Sequence, residues 1–120
     1  MAKRIMVVDD SRMICMQMKN LLAGTDYEVA AYCRSGEEAV EQYGQVCPDL
    51  VTMDIIMPGM DGLEAAQAIL EEHPEARIIM VSSLAYDDTF EEAKSIGAKG
   101  FIDKPFDKDR LLESFQKALA

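Results

Sequence analysis

The chain has 120 residues, 49% apolar and 28% charged, a composition that suits one soluble domain with a single core. Its 22 Asp and Glu against 12 Lys and Arg leave a net charge of −10, which argues against direct binding of nucleic acid, because phosphate affinity comes from clustered cations. No apolar run approaches the roughly 18 residues needed for a membrane span.

The first predicted element is a strand over Arg4–Val8. Its apolar run, IMVV, is too short for the core of a secretion signal, and Asp9 and Asp10 follow at once, so a cytoplasmic protein is expected. Ser11 can cap a first helix carrying Met13, Met16, Leu21 and Leu22. A second strand is predicted over Glu28–Tyr32. Ser35 then opens S-G-E-E, a capping box with Glu38, and its helix runs to about Tyr43 before Pro48 bars extension. The third strand covers Leu50–Met53, and the third helix runs from Gly62 to about Glu72, ahead of Pro74. Arg77–Val81 forms the fourth strand. Asp87 can cap a fourth helix with Phe90, Ala93 and Ile96 on one face and Gly97 as its stop. Gly100–Ile102 is the fifth strand, and Asp107 caps a last helix striped with Leu111, Leu112, Phe115 and Leu119.

The runs IMVV, the LV of LVTM, and IIMV are near-continuously apolar, as strands covered on both faces are. Five alternating β-α units of this kind predict an α/β protein with a parallel sheet wound on both sides by helices. Ligands of such sheets bind at the carboxyl ends of the strands. There the first strand places Asp9 and Asp10, the third Asp54, the fourth Ser82 and Ser83, and the fifth Asp103, Lys104 and Pro105.

Three carboxylates brought together repel: two unit charges about 4 Å apart cost about 1 kcal/mol in water and several-fold more near a protein surface. A divalent cation is the natural compensation, and an all-oxygen site favours Mg²⁺, Mn²⁺ or Ca²⁺ over Zn²⁺. With that cation, Lys104 and the Ser82 hydroxyl neutralising charge, Asp54 can serve as a carboxylate nucleophile for a phosphoryl group. Each of these residues has a plainer reading alone: a strand-end aspartate caps or turns, and Lys-Pro marks a turn. The convergence of four strand ends favours the chemical reading.

VVDDS at 7–11, TMDIIMPGMDG at 52–62, MVSS at 80–83 and GAKGFIDKPF at 97–106 occur in order. With them the whole chain, residues 1–120, resembles the receiver domain of bacterial response regulators, in particular the single-domain chemotaxis-type receivers. The resemblance implies one domain with a flavodoxin-like (βα)5 fold and a doubly wound five-stranded sheet in the order 2-1-3-4-5. It implies that Asp54 accepts a phosphoryl group from a histidine kinase. Asp10 and Asp54 would hold Mg²⁺ (Mn²⁺ being the alternative) with the Ile56 backbone carbonyl, and Asp9 would act through a metal-bound water. Lys104 would touch the phosphoryl oxygens, with its bond to Pro105 cis; X-Pro is where cis costs only about 0.5–1 kcal/mol. Pro58 and Gly62 would shape the loop after Asp54. In the switch, Ser82 moves toward the phosphoryl group and Phe101 turns inward, altering the surface of the fourth helix, fifth strand and fifth helix for a downstream effector protein. The expected state is a monomer, with phosphorylation-dependent dimerisation left open. The protein would not be an enzyme beyond its own phosphorylation and dephosphorylation.

Phe101 lacks the tyrosine hydroxyl common in that family. Ile56 and Leu84 occupy two positions that influence dephosphorylation there; both are apolar and cannot orient a water, so a long-lived aspartyl phosphate is expected. The alternative is a receiver belonging to a larger DNA-binding regulator, whose excised receiver would end in the same way at Ala120, right after the last predicted helix; a stand-alone module is the expected reading. A phosphatase of the haloacid dehalogenase type would need an acid at position 56, where Ile stands. Nucleotide modules lack their GxGxxG or GxxxxGK[ST] here. Cys15, Cys33 and Cys47 are expected as buried free thiols. His73 is expected at a helix end, and Asp61 and Asp103 as capping or solvated residues.

Overall fold

The structure, a computed structural model, describes residues 2–83 and 87–120, with the backbone alone at 87 and 88. Five strands alternate with five helices: β1 (Lys3–Val8), α1 (Arg12–Leu22), β2 (Tyr27–Cys33), α2 (Gly36–Val46), β3 (Leu50–Asp54), α3 (Gly62–Glu72), β4 (Ile78–Ser82), α4 (Asp87–Ser95), β5 (Gly100–Asp103) and α5 (Lys108–Leu119). The sheet is parallel in the order β2-β1-β3-β4-β5, the order that the resemblance implies. Among the described residues no helix is long and apolar enough to cross a membrane.

The apolar runs are central strands. Every residue of β3 and β4 is buried, as are the last four of β1, whereas β2 at the edge alternates between half-buried and exposed positions until Cys33. The pleat sends successive side chains to opposite faces. Met6, Val8, Met53 and Met80 pack with α2, α3 and Ala93 of α4. Ile5, Val7, Ile79 and Val81 pack with α1 and α5 through Met18, Leu22, Leu111 and Phe115.

The helix starts follow their caps. Ser11, Asp61 and Asp107 each accept from a backbone N–H three residues on, satisfying a donor that the helix cannot. The Ser35 Oγ accepts from Glu38 N at 3.1 Å, but Glu38 Oε2 accepts from Arg34 N at 3.2 Å, so the expected box at Ser35 closes one residue early. The full reciprocal box lies at Asp61 and Glu64. Asp87 already belongs to α4, and its side chain lies outside the described residues.

Three side chains depart from expectation. Met13 and Met16 are exposed, because the sheet-facing stripe of α1 runs through Cys15, Met18 and Leu22. Cys15 and Cys33 are buried thiols, but Cys47 is exposed. It is the C-cap of α2 in left-handed conformation, φ 49°, and its Sγ lies 3.1 Å from the Gly44 carbonyl oxygen. His73 ends α3 as expected, with its ring 4.7 Å from that of Tyr43.

Candidate functional site

The carboxyl ends of β1, β3 and β5 meet at one edge of the sheet. Strand β1 pairs with β3, and its last residue, Val8, faces Met53, so Asp9 and Asp54 leave adjacent strands side by side. Oxygens of Asp9, Asp10 and Asp54 lie within 4.8 Å of one another. Asp9 and Asp54 are buried and Asp10 is exposed. The order of solvent access is therefore set by the strands: two acids form the floor and the third the rim.

Lys104 enters from the other side. Its backbone N–H donates to the Ser82 carbonyl at 2.9 Å, which extends the β4–β5 pairing by one residue. Its ammonium then reaches Asp9 Oδ2 at 2.9 Å and Asp54 Oδ1 at 3.3 Å. The other oxygen of Asp9 accepts from Ser11 N at 2.8 Å, so Asp9 also braces the entry to α1. The peptide between Lys104 and Pro105 is cis, and Phe106 beyond it is buried in the α1/α5 core. Ser82 is buried at the end of β4. Phe101 is half-buried, its ring 5.8 Å from that of Phe90 on α4.

The loop after Asp54 is held close to the strand. Gly62 N donates to Ile55 O at 2.8 Å. A Cβ on Gly62 would lie 2.0 Å from the Asp54 carbonyl oxygen, so only glycine fits there. Ile55 and Met57 are buried, while Ile56 and Pro58 point outward. Leu84 lies outside the described residues.

Electrostatics follow from this packing. Burial pushes the Asp54 carboxyl up, Asp9 beside it pushes further, and Lys104 pulls back; the net pKa is about 6. Burial alone would lower the pKa of Lys104, but its bonds and attraction to Asp9 and Asp54 outweigh that and raise it. One ammonium among three carboxylates leaves negative charge uncompensated. Oxygen donors alone, crowded within 4.8 Å, fit a hard divalent cation.

The site residues expected from the sequence thus arrive together: Asp9, Asp10, Asp54 and Lys104 in direct array, with Ser82, Ile56 and Gly62 on the adjoining backbone. Asp61 caps α3 as expected. Asp103 does not cap, but its side chain is half exposed, the solvated alternative: its Oδ2 lies 4.0 Å from the Arg110 guanidinium, and its Oδ1 is shut from solvent with no hydrogen bond among the described residues.

Comparison with known proteins agrees with this geometry. Residues 5–116 match the response regulator receiver domain, and the chain belongs to that family. It is 44% identical over 115 residues to the chemotaxis protein CheY of Listeria monocytogenes, covering 96% of this chain and 97% of that protein. To CheY of Bacillus subtilis it is 45% identical over 119 residues, covering 99% of both. Among solved structures, a chain of the CheX-CheY-BeF3-Mg²⁺ complex from Borrelia burgdorferi superposes with a TM-score of 0.94 at 32% identity, covering 98% of this chain and 90% of that one. This is a signalling switch of the chemotaxis response-regulator type.

Proposed function

We propose that the chain is a cytoplasmic switch that takes a phosphoryl group from the phosphohistidine of a histidine kinase onto Asp54. The observation that carries the reading is the bridge from Lys104 to both Asp9 and Asp54 within a cluster of three carboxylates. An Asp54 carboxylate oxygen attacks phosphorus, the P–N bond breaks, and its electron pair returns to the imidazole. The transferred group arrives with negative oxygens. Lys104 lies within reach of an Asp54 oxygen and can turn its ammonium toward them.

Asp10, Asp54 and the Ile56 carbonyl would hold Mg²⁺, with Asp9 acting through a water; a bound Mg²⁺ supplies the charge neutralisation that phosphoryl transfer needs. Support comes from the all-oxygen donor set and from the similar CheX-CheY-BeF3-Mg²⁺ complex. Ser82 and Phe101 would carry the change to the α4-β5-α5 surface. The Phe101–Phe90 contact joins β5 to α4, so inward rotation of Phe101 alters what a downstream protein meets. The output is binding of an effector protein; the only reactions are the chain's own phosphorylation and dephosphorylation.

A second reading keeps the switch but sets it in a larger protein. The chain is 41% identical over 104 residues to a protein-glutamate methylesterase of Archaeoglobus fulgidus, of which it covers 30%. The test of the main reading is incubation with acetyl phosphate and Mg²⁺, followed by intact mass. One phosphoryl group is expected, dependent on metal and absent in Asp54→Ala. Labelling that persists in Asp54→Ala defeats the assignment.

A further inference from the structure

The loop between β3 and α3 carries Ile56, and its two ends are held differently. At the base, buried Ile55 and Met57 and the Gly62–Ile55 hydrogen bond anchor it. At the tip, Gly59 takes φ 78°, a conformation open to glycine. The tip meets the start of α2. Gly36 packs so closely that a Cβ there would lie 2.7 Å from the Met60 carbonyl oxygen. Met60 N–H donates to Glu37 Oε2 at 3.4 Å, and the same oxygen would lie 2.8 Å from a Cβ on Gly59. Among the described residues this is the only side-chain hydrogen bond that reaches the loop from outside α3 and its cap. Glu37 is not needed to start its own helix, because Ser35 and Glu38 do the capping. Its oxygens also lie outside the Asp9–Asp10–Asp54 cluster.

We infer that Glu37 is a positioning residue: it clamps the Gly59–Met60 turn against α2 and thereby sets where the Ile56 carbonyl points. The inference rests on the metal site proposed above. A freed tip would let Pro58 to Met60 move, slackening the hold on Met57, which follows Ile56 in the chain, and the Ile56 carbonyl would meet the cation less often.

The test is Mg²⁺ titration by calorimetry, together with amide hydrogen exchange of Met60 in metal-free protein, on Glu37→Ala, Glu37→Gln and Glu41→Ala. Glu37→Ala is expected to weaken Mg²⁺ binding by about threefold to tenfold, at or below the loss usual for groups that orient a ligand through another residue. Glu37→Gln keeps an acceptor oxygen and is expected to stay within roughly twofold of wild type, as is Glu41→Ala, which removes one exposed charge from the same helix without touching the loop. Met60 exchange should quicken in Glu37→Ala alone. Mg²⁺ binding unchanged in Glu37→Ala overturns the inference, as does Glu37→Gln binding as weakly as Glu37→Ala, which would make the effect one of charge. Wild-type protein that takes up no Mg²⁺ sinks the metal site itself; the clamp then stands on faster Met60 exchange in Glu37→Ala and falls without it.

Discussion

Lys104 and Asp9, 95 residues apart in the chain, meet at 2.9 Å. Both are largely withdrawn from solvent, with side chains 17% and 3% exposed. The pair joins the first strand of the fold to the last, and the same ammonium spans on to Asp54 at 3.3 Å. Without a metal, Lys104 is the one cation within salt-bridge distance of these two acids among the described residues.

Removing that cation leaves two buried acids facing each other. Breaking a buried pair by deleting one partner typically costs 3–5 kcal/mol. Lys104→Met keeps the aliphatic bulk, so loss of about 3 kcal/mol is expected at neutral pH in EDTA. Excess Mg²⁺ should recover much of it by binding the folded state. Urea unfolding in the two buffers measures both. A variant as stable as wild type in EDTA would show that the bridge contributes little.

Asp54 predicts a pH dependence of the opposite sign to that of an ordinary salt-bridged carboxylate. Its folded pKa of about 6 lies above the value of about 3.9 expected in the unfolded chain. Between those values the folded protein holds a proton that the unfolded one has released, so this residue's contribution falls as pH rises from about 4 to about 6. At about 1.4 kcal/mol per unit the cost at neutral pH is at most about 3 kcal/mol. Asp54→Asn removes it. In EDTA at pH 7.5 the variant should be more stable than wild type by about 1–3 kcal/mol, and the gap should close near pH 4. Mg²⁺ should stabilise wild type more than the variant. Parallel urea curves at the two pH values decide; a gap that stays constant with pH contradicts the assignment.

Much of this site was legible because its chemistry sits at strand ends, and strand ends are marked by apolar runs stopping at polar residues. IMVV stopping at Asp9 and Asp10 is such a mark, and so is MVSS at 80–83. The apolar runs also identified the central strands, since burial on both faces leaves no polar alternation. The strand order came from the family resemblance; alternation of elements leaves it open. What escaped was set by tertiary approach. The apolar side of α1 was ambiguous because Met13, Met16 and Met18 all satisfy a helical stripe, and packing chose Met18. Cys47 reads as a core residue by type, yet the turn into Pro48 pins it at the surface. The Glu37–Met60 contact spans 23 residues with no local signature. The Asp61 box was readable in the spacing D-G-L-E.

Gly62 shows how steeply such approaches are constrained. A Cβ there would lie 2.0 Å from the Asp54 carbonyl oxygen, 2.8 Å from its carbon and 2.9 Å from Ile55 Cα, all backbone. No side chain can rotate away to make room, so the loop or α3 must move. Gly62→Ala is expected to cost about 3 kcal/mol or more, the upper end for overpacking. It should also weaken Mg²⁺ binding, because the strain falls on the peptide of Asp54. Gly24→Ala is the useful contrast: φ is 77° there, but nothing lies within 4 Å. Its cost should be confined to backbone conformation, about 1–2 kcal/mol, with Mg²⁺ binding unaffected. Thermal melts and calorimetry on the two variants separate crowding from conformation; equal losses of metal affinity would contradict the argument.

Ile56 bears on how long the switch stays on. Its side chain is 55% exposed on the loop beside Asp54, and it carries no donor or acceptor with which to orient an attacking water. Hydrolysis of an aspartyl phosphate needs a water held in line with the P–O bond, and positioning contributes much of any such rate. A polar side chain at this exposed position has room to supply it without disturbing the core. Ile56→Asn is therefore expected to shorten the lifetime of the phosphorylated protein by about threefold to tenfold, a small share of the rate that full positioning supplies. Stability should stay within about 0.5 kcal/mol, as for surface substitutions in general. The decay of the phosphorylated mass after removal of acetyl phosphate measures the lifetime with Mg²⁺ held constant. An unchanged lifetime would mean that water is oriented by other groups, or that its approach is blocked before it reaches position 56.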